Sequence, residues 1–285
     1  MKATKRSNLS PGGGALRLTE TGIMLALAVV LGLIKLVTMP YGGSVTPAHM
    51  LPLLLIAYRH GTRWGLFAGA AYGLLELLLG GTGDLKYISG AAIAVSILGD
   101  YLLAYAAVGF GGMLRRRIHR QWAALSAGAA FACLLRYALH VVSGAIAWWE
   151  FNPTALSTWV YSMIYNATYM APVTLVTVLS AFWIGTLLDF RGETITRLIQ
   201  TGKPARPAAG VLPVIGKTAL ATAAIYDIAV LFLHMQDAET GLFSFAAISA
   251  APWPIMGIVT AAGIVALTAC LMFSRPGTQK YLPDK

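Results

Sequence analysis

QWAALSAGAAFACLLRYALHVVSGAIAW, residues 121–148, decides how this chain is read. A bilayer crossing needs ~20 mostly apolar residues, and this run exceeds that. Yet it carries Arg136 and His140. Ionisable groups inside a span are costly, so they face a bundle interior and mark functional sites. Two other apolar runs have the same character: 88–113 holds Asp100 and Tyr101, and 157–188 holds Tyr161, Ser162 and Asn166.

The composition supports a membrane setting. Hydrophobic residues make up 57% and charged residues 11% of the 285, against roughly 25% charged in soluble domains. Eight spans are expected, at 19–37, 48–60, 63–80, 88–113, 121–148, 157–188, 211–234 and 252–273. The second is short, holds Pro52 and follows Pro40, Gly42, Gly43 and Pro47, the pattern of a broken segment lining a cavity. The fold class is an all-α integral membrane protein: a six-helix core over 1–195, a cytoplasmic linker over 196–206 and a further two-helix segment over 207–285.

The net charge of +10 reads as topology rather than nucleic-acid binding. With the N-terminus inside, all of the 21 Lys and Arg fall on the cytoplasmic side except Lys35, Lys86 and Arg136. Both termini are then cytoplasmic. The basic flank Lys2 to Arg6 followed by Gly22 to Val37 imitates a signal peptide, but no small-x-small cleavage site follows, so a retained first helix is expected. Cys133 and Cys270 sit in apolar runs with no metal-ligand spacing and read as packing residues. Gly216-Lys217-Thr218 resembles the end of a phosphate-binding loop, but Gly210 is one residue too distant and the site opens a span. No ATPase is visible, so ATP-driven transport requires partner proteins.

On the fifth helix, His140, Gly144 and Trp148 share one face at i, i+4 and i+8, and Arg136 extends it. Trp148 sits near the outer end, with His140 ~12 Å deeper. Gly144 between them either leaves room for a ligand ring or permits close helix packing. Trp148 is either a ligand contact or an interfacial belt residue. On the sixth helix, Ser162 and Asn166 share a face beside the tyrosines at 161, 165 and 169. Asn166 at ~14 Å and Asp100 at ~18 Å from their helix starts overlap His140 in depth. A carboxylate, an imidazole, an amide and several rings then converge on a pocket suited to a heteroaromatic cation. Arg136 is expected to neutralise Asp100 or Glu76.

These residues carry a resemblance. The runs RYALHVVSGAIAWW (136–149), WVYSMIYNATYMAP (159–172), LGDYLLAYAAVGFGGML (98–114) and YGGSVTPAHMLPLLLIAYRHG (41–61) resemble the thiamine-specific S component of energy-coupling factor (ECF) transporters over about 17–190. The resemblance implies a six-helix substrate-binding membrane subunit that works with a transmembrane T component and two cytoplasmic ATPases in a bacterial plasma membrane. It implies no enzyme activity and no cofactor, thiamine being the transported ligand. Asp100 and Tyr101 match the pair that contacts the aminopyrimidine, with Asp100 shorter than the Glu of some members. Trp148 matches the stacking residue. His140, Tyr161 and Asn166 match polar pocket positions, and Gly144 and Ser162 match lining positions. Tyr72 falls where some members carry a pocket Trp, and Gly43 where some carry another, so one aromatic wall differs here. Gly22 and Ala26 form a small-xxx-small pair, which the resemblance implies docks on the T component; packing within the monomer is the other reading. A related substrate such as the aminopyrimidine fragment, a self-sufficient carrier, and an enzyme using Asp100 and His140 as acid and base are the alternatives. Asp227 and Trp253, in the last two helices, lie outside the resemblance.

Overall fold

The computed structural model describes residues 11–39, 41–152, 156–198, 207–235 and 244–274. The flank Lys2 to Arg6 and most of the linker, 199–206, lie outside the described residues. The chain divides into two compact units, Met1–Arg197 and Leu198–Lys285.

The first unit holds six helices: α1 (Pro11–Leu33), α2 (Met50–His60), α3 (Thr62–Leu79), α4 (Ala91–Arg116), α5 (Gln121–Ala147) and α6 (Thr158–Leu187). Between α1 and α2, strands β1 (Val37–Thr38) and β2 (Ser44–Val45) pair antiparallel. After α6, β3 (Leu188–Asp189) pairs with β4 (Thr196–Arg197). The second unit is a hairpin of α7 (Pro207–Met235) and α8 (Trp253–Ser274). Gly216-Lys217-Thr218 lies inside α7, which is not the setting of a phosphate-binding loop.

Six described helices are long and apolar enough to cross a membrane: α1, α4, α5, α6, α7 and α8. The expected second span departs from this. At 11 residues, α2 reaches only ~16 Å against a hydrocarbon core of ~30 Å. It is nevertheless the most enclosed helix, with Met50, Leu53, Leu54, Ile56 and Tyr58 almost wholly buried. The third expected span is bent by 67° between Thr62–Leu79 and a 3₁₀ segment, Gly81–Tyr87. The first ends at Leu33 rather than at 37, because Val37 and Thr38 leave the helix to pair with Val45 and Ser44.

Glycine spacing explains how closely α3 and α4 approach. A Cβ on Gly65 would meet the Gly109 backbone, and one on Gly69 or Gly73 would overlap the carbonyls of Tyr105 and Tyr101. Gly65, Gly69 and Gly73 recur every four residues on one face, a small-residue packing stripe. The far end of α6 is closed by Gln121. Its Nε2 donates to the carbonyls of Gly185 (3.0 Å) and Leu188 (2.5 Å), and its Oε1 accepts from Phe190 N (2.9 Å). Cys133 is buried and Cys270 half-buried, both free.

In the second unit, Gly216 and Gly263 let α7 and α8 touch closely, at Leu267 and at Ala223. Thr260 hydrogen-bonds Asp227 across the hairpin, and Trp253 Nε1 donates to the Ile248 carbonyl (3.1 Å).

A Gly69→Ala variant is expected to lose stability by about 1–3 kcal/mol, because the new methyl meets backbone rather than a movable side chain. Thermal unfolding in detergent, with Gly80→Ala as a control having open space around it, checks this.

Candidate functional site

The sequence placed Asp100, His140 and Asn166 at overlapping depths on three helices. The structure brings them together. His140 Nδ1 lies 2.9 Å from Asp100 Oδ1, and Asn166 Nδ2 donates to the His140 carbonyl at 3.3 Å. They border a cavity of about 310 Å³, within the range of small-molecule sites.

Each wall has a local cause. Over Ile97–Leu103, α4 widens into π-type hydrogen bonding, a distortion common at functional sites. There the consecutive Asp100 and Tyr101 both reach the cavity. On α5, a Cβ at Gly144 would strike Ser162 Oγ. The glycine therefore serves helix packing and cavity shape together, since Gly144 and Ser162 both line the space. Ser162 Oγ donates to the Val141 carbonyl at 2.8 Å. Asn166 donates to the Ser162 carbonyl at 2.9 Å and accepts from Tyr169 OH at 2.6 Å.

Arg136 is buried and does not pair with Asp100 or Glu76 as expected. Its Nε donates to His140 Nε2 (3.2 Å), and its Nη1 bonds His49 Nε2 (3.2 Å). Its guanidinium lies 4.1 Å from the Tyr105 ring centroid. Arginine cannot accept a hydrogen bond, so both imidazoles must accept at Nε2 and carry their proton at Nδ1. His140 then donates to Asp100, and His49 donates to Thr46 Oγ1. Asp100 Oδ2 also accepts from Ser96 (2.7 Å) and Ser143 (2.8 Å). An unbroken chain thus runs from the cavity carboxylate through Arg136 to Thr46, one residue past β2.

The hairpin covers the cavity from its other side. Gly42 and Gly43 adopt φ of +104° and +89°, which favour glycine. A Cβ on Gly43 would meet the Tyr169 ring at 2.9 Å, so the hairpin lies directly on α6. Tyr165 OH donates to the Gly42 carbonyl at 2.8 Å. Tyr41 holds the left-handed backbone at φ +59°, a cost of about 1–2 kcal/mol. Its ring packs 4.7 Å from Phe151 and 5.5 Å from Tyr87. Phe151 in turn lies 5.8 Å from Trp148. Tyr41, Phe151 and Trp148 all border the cavity and form an aromatic wall beside Gly43.

Asp100, Tyr101, His140, Gly144, Trp148, Tyr161, Ser162 and Asn166 all border the cavity. Tyr72 does not. It is fully buried, its hydroxyl is within reach of Glu76 Oε2 (2.9 Å) and the Ala28 carbonyl (3.3 Å), and Glu76 rather than Tyr72 borders the space. Sequence reasoning missed His49, Tyr41 and Phe151. His49 had a legible signal, an imidazole in an apolar run shortly after Pro47; the two rings had none, because their meeting depends on the hairpin. Among the described residues no cluster of His, Cys, Asp and Glu could hold a metal ion.

The cavity lining carries three carboxylates, Glu76, Asp84 and Asp100, and two cations, Lys35 and Arg136. A negative excess, ring faces and directional donors and acceptors suit a flat cation.

Residues 18–189 match the family described as thiamine transporter protein (Thia_YuaJ). The chain belongs to that family. Thiamine transporter ThiT of Bacillus subtilis (strain 168) is 37% identical over 167 residues, covering 55% of this chain and 83% of that protein. ThiT of Lacticaseibacillus paracasei is 28% identical over 182 residues, covering 59% and 85%. A solved structure of ThiT from Listeria monocytogenes shares the fold, with a TM-score of 0.51 and 23% identity over 60% of this chain and 93% of that one. The resemblance drawn from the four motifs is borne out, and the family is one of multi-pass membrane transporters, not enzymes. The matched residues end before α7, so the second unit lies beyond the family region.

Isotope-edited NMR of ¹⁵N-histidine protein is expected to place His49 and His140 in the neutral Nδ1–H tautomer, the less common one in free imidazole. Arg136→Leu should leave two imidazole acceptors and a buried carboxylate uncompensated, costing about 3–5 kcal/mol. Loss of the tautomer signature at both histidines in Arg136→Lys would show that one ammonium cannot replace the fork.

Proposed function

We propose that this chain captures thiamine in the cavity described above and delivers it inward as the substrate-binding subunit of an ECF transporter. Membership of a thiamine transporter family supports the substrate. The observation that carries the reading is the convergence of Asp100, His140 and Asn166 on one cavity whose lining has a net negative charge. Asp100 accepts from His140, Ser96 and Ser143. A carboxylate has about four acceptor positions, so one remains, aimed at the exocyclic amine of the aminopyrimidine. Tyr101 flanks that contact. Trp148 stacks on the ligand, His140, Tyr161 and Asn166 set its orientation, and Gly144 and Ser162 give it room. Glu76 and Asp84 hold the positive ring.

Uptake against a gradient then requires a T component and two ATPases. The Gly22–Ala26 face of α1 is offered for that docking: both residues are exposed, and among the described residues nothing lies within 4 Å of a Cβ built on Gly22. Packing within the first unit therefore does not account for the pair. The setting is a bacterial plasma membrane with both termini cytoplasmic, as the distribution of Lys and Arg supports.

Titration of the purified protein with thiamine is expected to quench tryptophan fluorescence saturably, and Trp148→Phe should abolish the quenching. Asp100→Asn should weaken binding about 10–100-fold, the value of a charged hydrogen bond. Undiminished quenching in folded Trp148→Phe would overturn the stacking role, and no heat of binding by calorimetry would remove thiamine. Vesicles holding this chain alone should bind thiamine without accumulating it. Accumulation without partners would overturn the ECF coupling.

A further inference from the structure

The first unit has a second cavity, of about 430 Å³. It lies at the opposite end of the helices: α1 contributes Arg17 here, while Lys35, just past its other end, borders the first cavity. Likewise α2 contributes Arg59 here and α4 contributes Arg115. Arg191, beyond β3, completes a ring of four guanidinium groups, opposed on the wall by Glu193.

One of the four is structural. Arg59 pairs with Glu20 through Nε (2.8 Å) and Nη2 (2.6 Å). It also donates to the carbonyls of Phe190 (3.1 Å), Gly192 (3.4 Å) and Glu193 (2.9 Å). Every donor it has is engaged. The other three differ. Among the described residues, Arg115 uses only Nη1, on the carbonyls of Tyr58 and Arg59. Arg191 uses only Nη2, on the His119 carbonyl (2.7 Å). Arg17 donates to nothing among the described residues, and its Nε is buried without an acceptor. A buried unsatisfied donor costs about 1–3 kcal/mol.

Arg17 is nonetheless held in place. Its guanidinium lies 4.2 Å from the Trp64 ring centroid. Trp64 Nε1 donates to Thr21 Oγ1 (2.8 Å), and Thr21 Oγ1 donates to the Arg17 carbonyl (2.7 Å). A fixed guanidinium whose terminal nitrogens donate to nothing among the described residues borders the same cavity as two others with donors to spare, a set of donors that calls for an anionic acceptor. Three forks from three elements suit a tetrahedral anion with several oxygens better than a two-oxygen carboxylate. Leu16, on the same wall, is 45% exposed, and Leu18 and Ile23 of α1 are exposed beyond it. The anion site therefore adjoins an apolar helix surface of the kind that faces acyl chains.

We propose that this cavity binds a phosphate group, that of an anionic glycerophospholipid in the surrounding leaflet. Arg17, Arg115 and Arg191 hold the phosphate oxygens, and Leu16 lies along the start of the chain. Basic pockets beside membrane helices bind anionic headgroups by this chemistry.

The test is native mass spectrometry of the full-length protein in detergent, titrated with short-chain phosphatidylglycerol, phosphatidylcholine of equal chain length, and inorganic phosphate. Phosphatidylglycerol is expected to bind at least ten-fold more tightly than phosphatidylcholine. The Arg17→Gln/Arg191→Gln double variant should remove that difference while keeping its helical content and melting temperature, because the Arg59 clamp is untouched. Inorganic phosphate that displaces the lipid only at far higher concentration supports the lipid source. Phosphate that binds as tightly as phosphatidylglycerol supports the same site with a soluble phosphate ester as its occupant. Equal retention of the two lipids, or undiminished phosphatidylglycerol binding in the folded double variant, overturns the proposal.

Discussion

The site depends on one buried cation that can only donate. Arg136 sits among α2, α4 and α5 with an imidazole on either side and an aromatic face against it. Placing a guanidinium in a low-dielectric interior is expensive unless it is paired and hydrogen-bonded. Here its compensation is indirect. A negative group, Asp100, is reached through the neutral ring of His140. The arrangement also orders the second side of the cavity, because the same guanidinium fixes the tautomer of His49 and through it Thr46, where the hairpin returns to helix. A continuous set of side-chain hydrogen bonds thus links Asp100 to the foot of the hairpin.

The irregular backbone follows from the same demand. Regular spanning helices satisfy their own polar groups and present one residue per hundred degrees of rotation, which leaves little polar surface for a small ligand. The first unit departs from regularity in three places: the truncated α2, the bend after Leu79 and the π-type turns at Ile97–Leu103. Each borders the cavity or is enclosed by other helices, the settings in which broken backbone is tolerated at membrane depth.

Much of this was legible in the sequence. Apolar runs with isolated polar residues located the helices within a few residues, and spacing of four put His140 with Gly144 and Ser162 with Asn166 on shared faces. Helix depth, a matter of counting, brought Asp100, His140 and Asn166 together. What failed were judgements about partners across helices. Arg136 was assigned a carboxylate because opposite charges attract, but the structure gives it two imidazoles and a ring. Tyr72 was assigned to the cavity by position, but its hydroxyl is held by Glu76, one helical turn on, and it is Glu76 that borders the cavity. The first helix was placed too late in the chain, at 19–37 against the observed 11–33: Leu36 and Val37 extend its apolar run past Lys35, and apolarity does not distinguish a helix end from a strand that pairs locally. The glycine stripe on α3 was in plain view at positions 65, 69 and 73, but its meaning rests on which helix lies opposite.

The charge pattern of the cavity bears on how much of a ligand is read. Asp100 already accepts from His140, Ser96 and Ser143, so on the proposed reading it recognises hydrogen-bond geometry more than charge. The other two carboxylates sit elsewhere on the lining: Glu76 accepts from Tyr72, and Asp84 lies beside Gly42 of the hairpin, with Tyr101 and Lys35 near it. On the proposed reading, the aminopyrimidine satisfies one end and the cationic ring the other. A fragment holding only one of them would leave either an open acceptor at Asp100 or an unbalanced carboxylate under the hairpin. On that reading, selectivity for the whole vitamin arises from two chemically different ends of one cavity whose lining also includes Tyr41, Phe151 and Trp148.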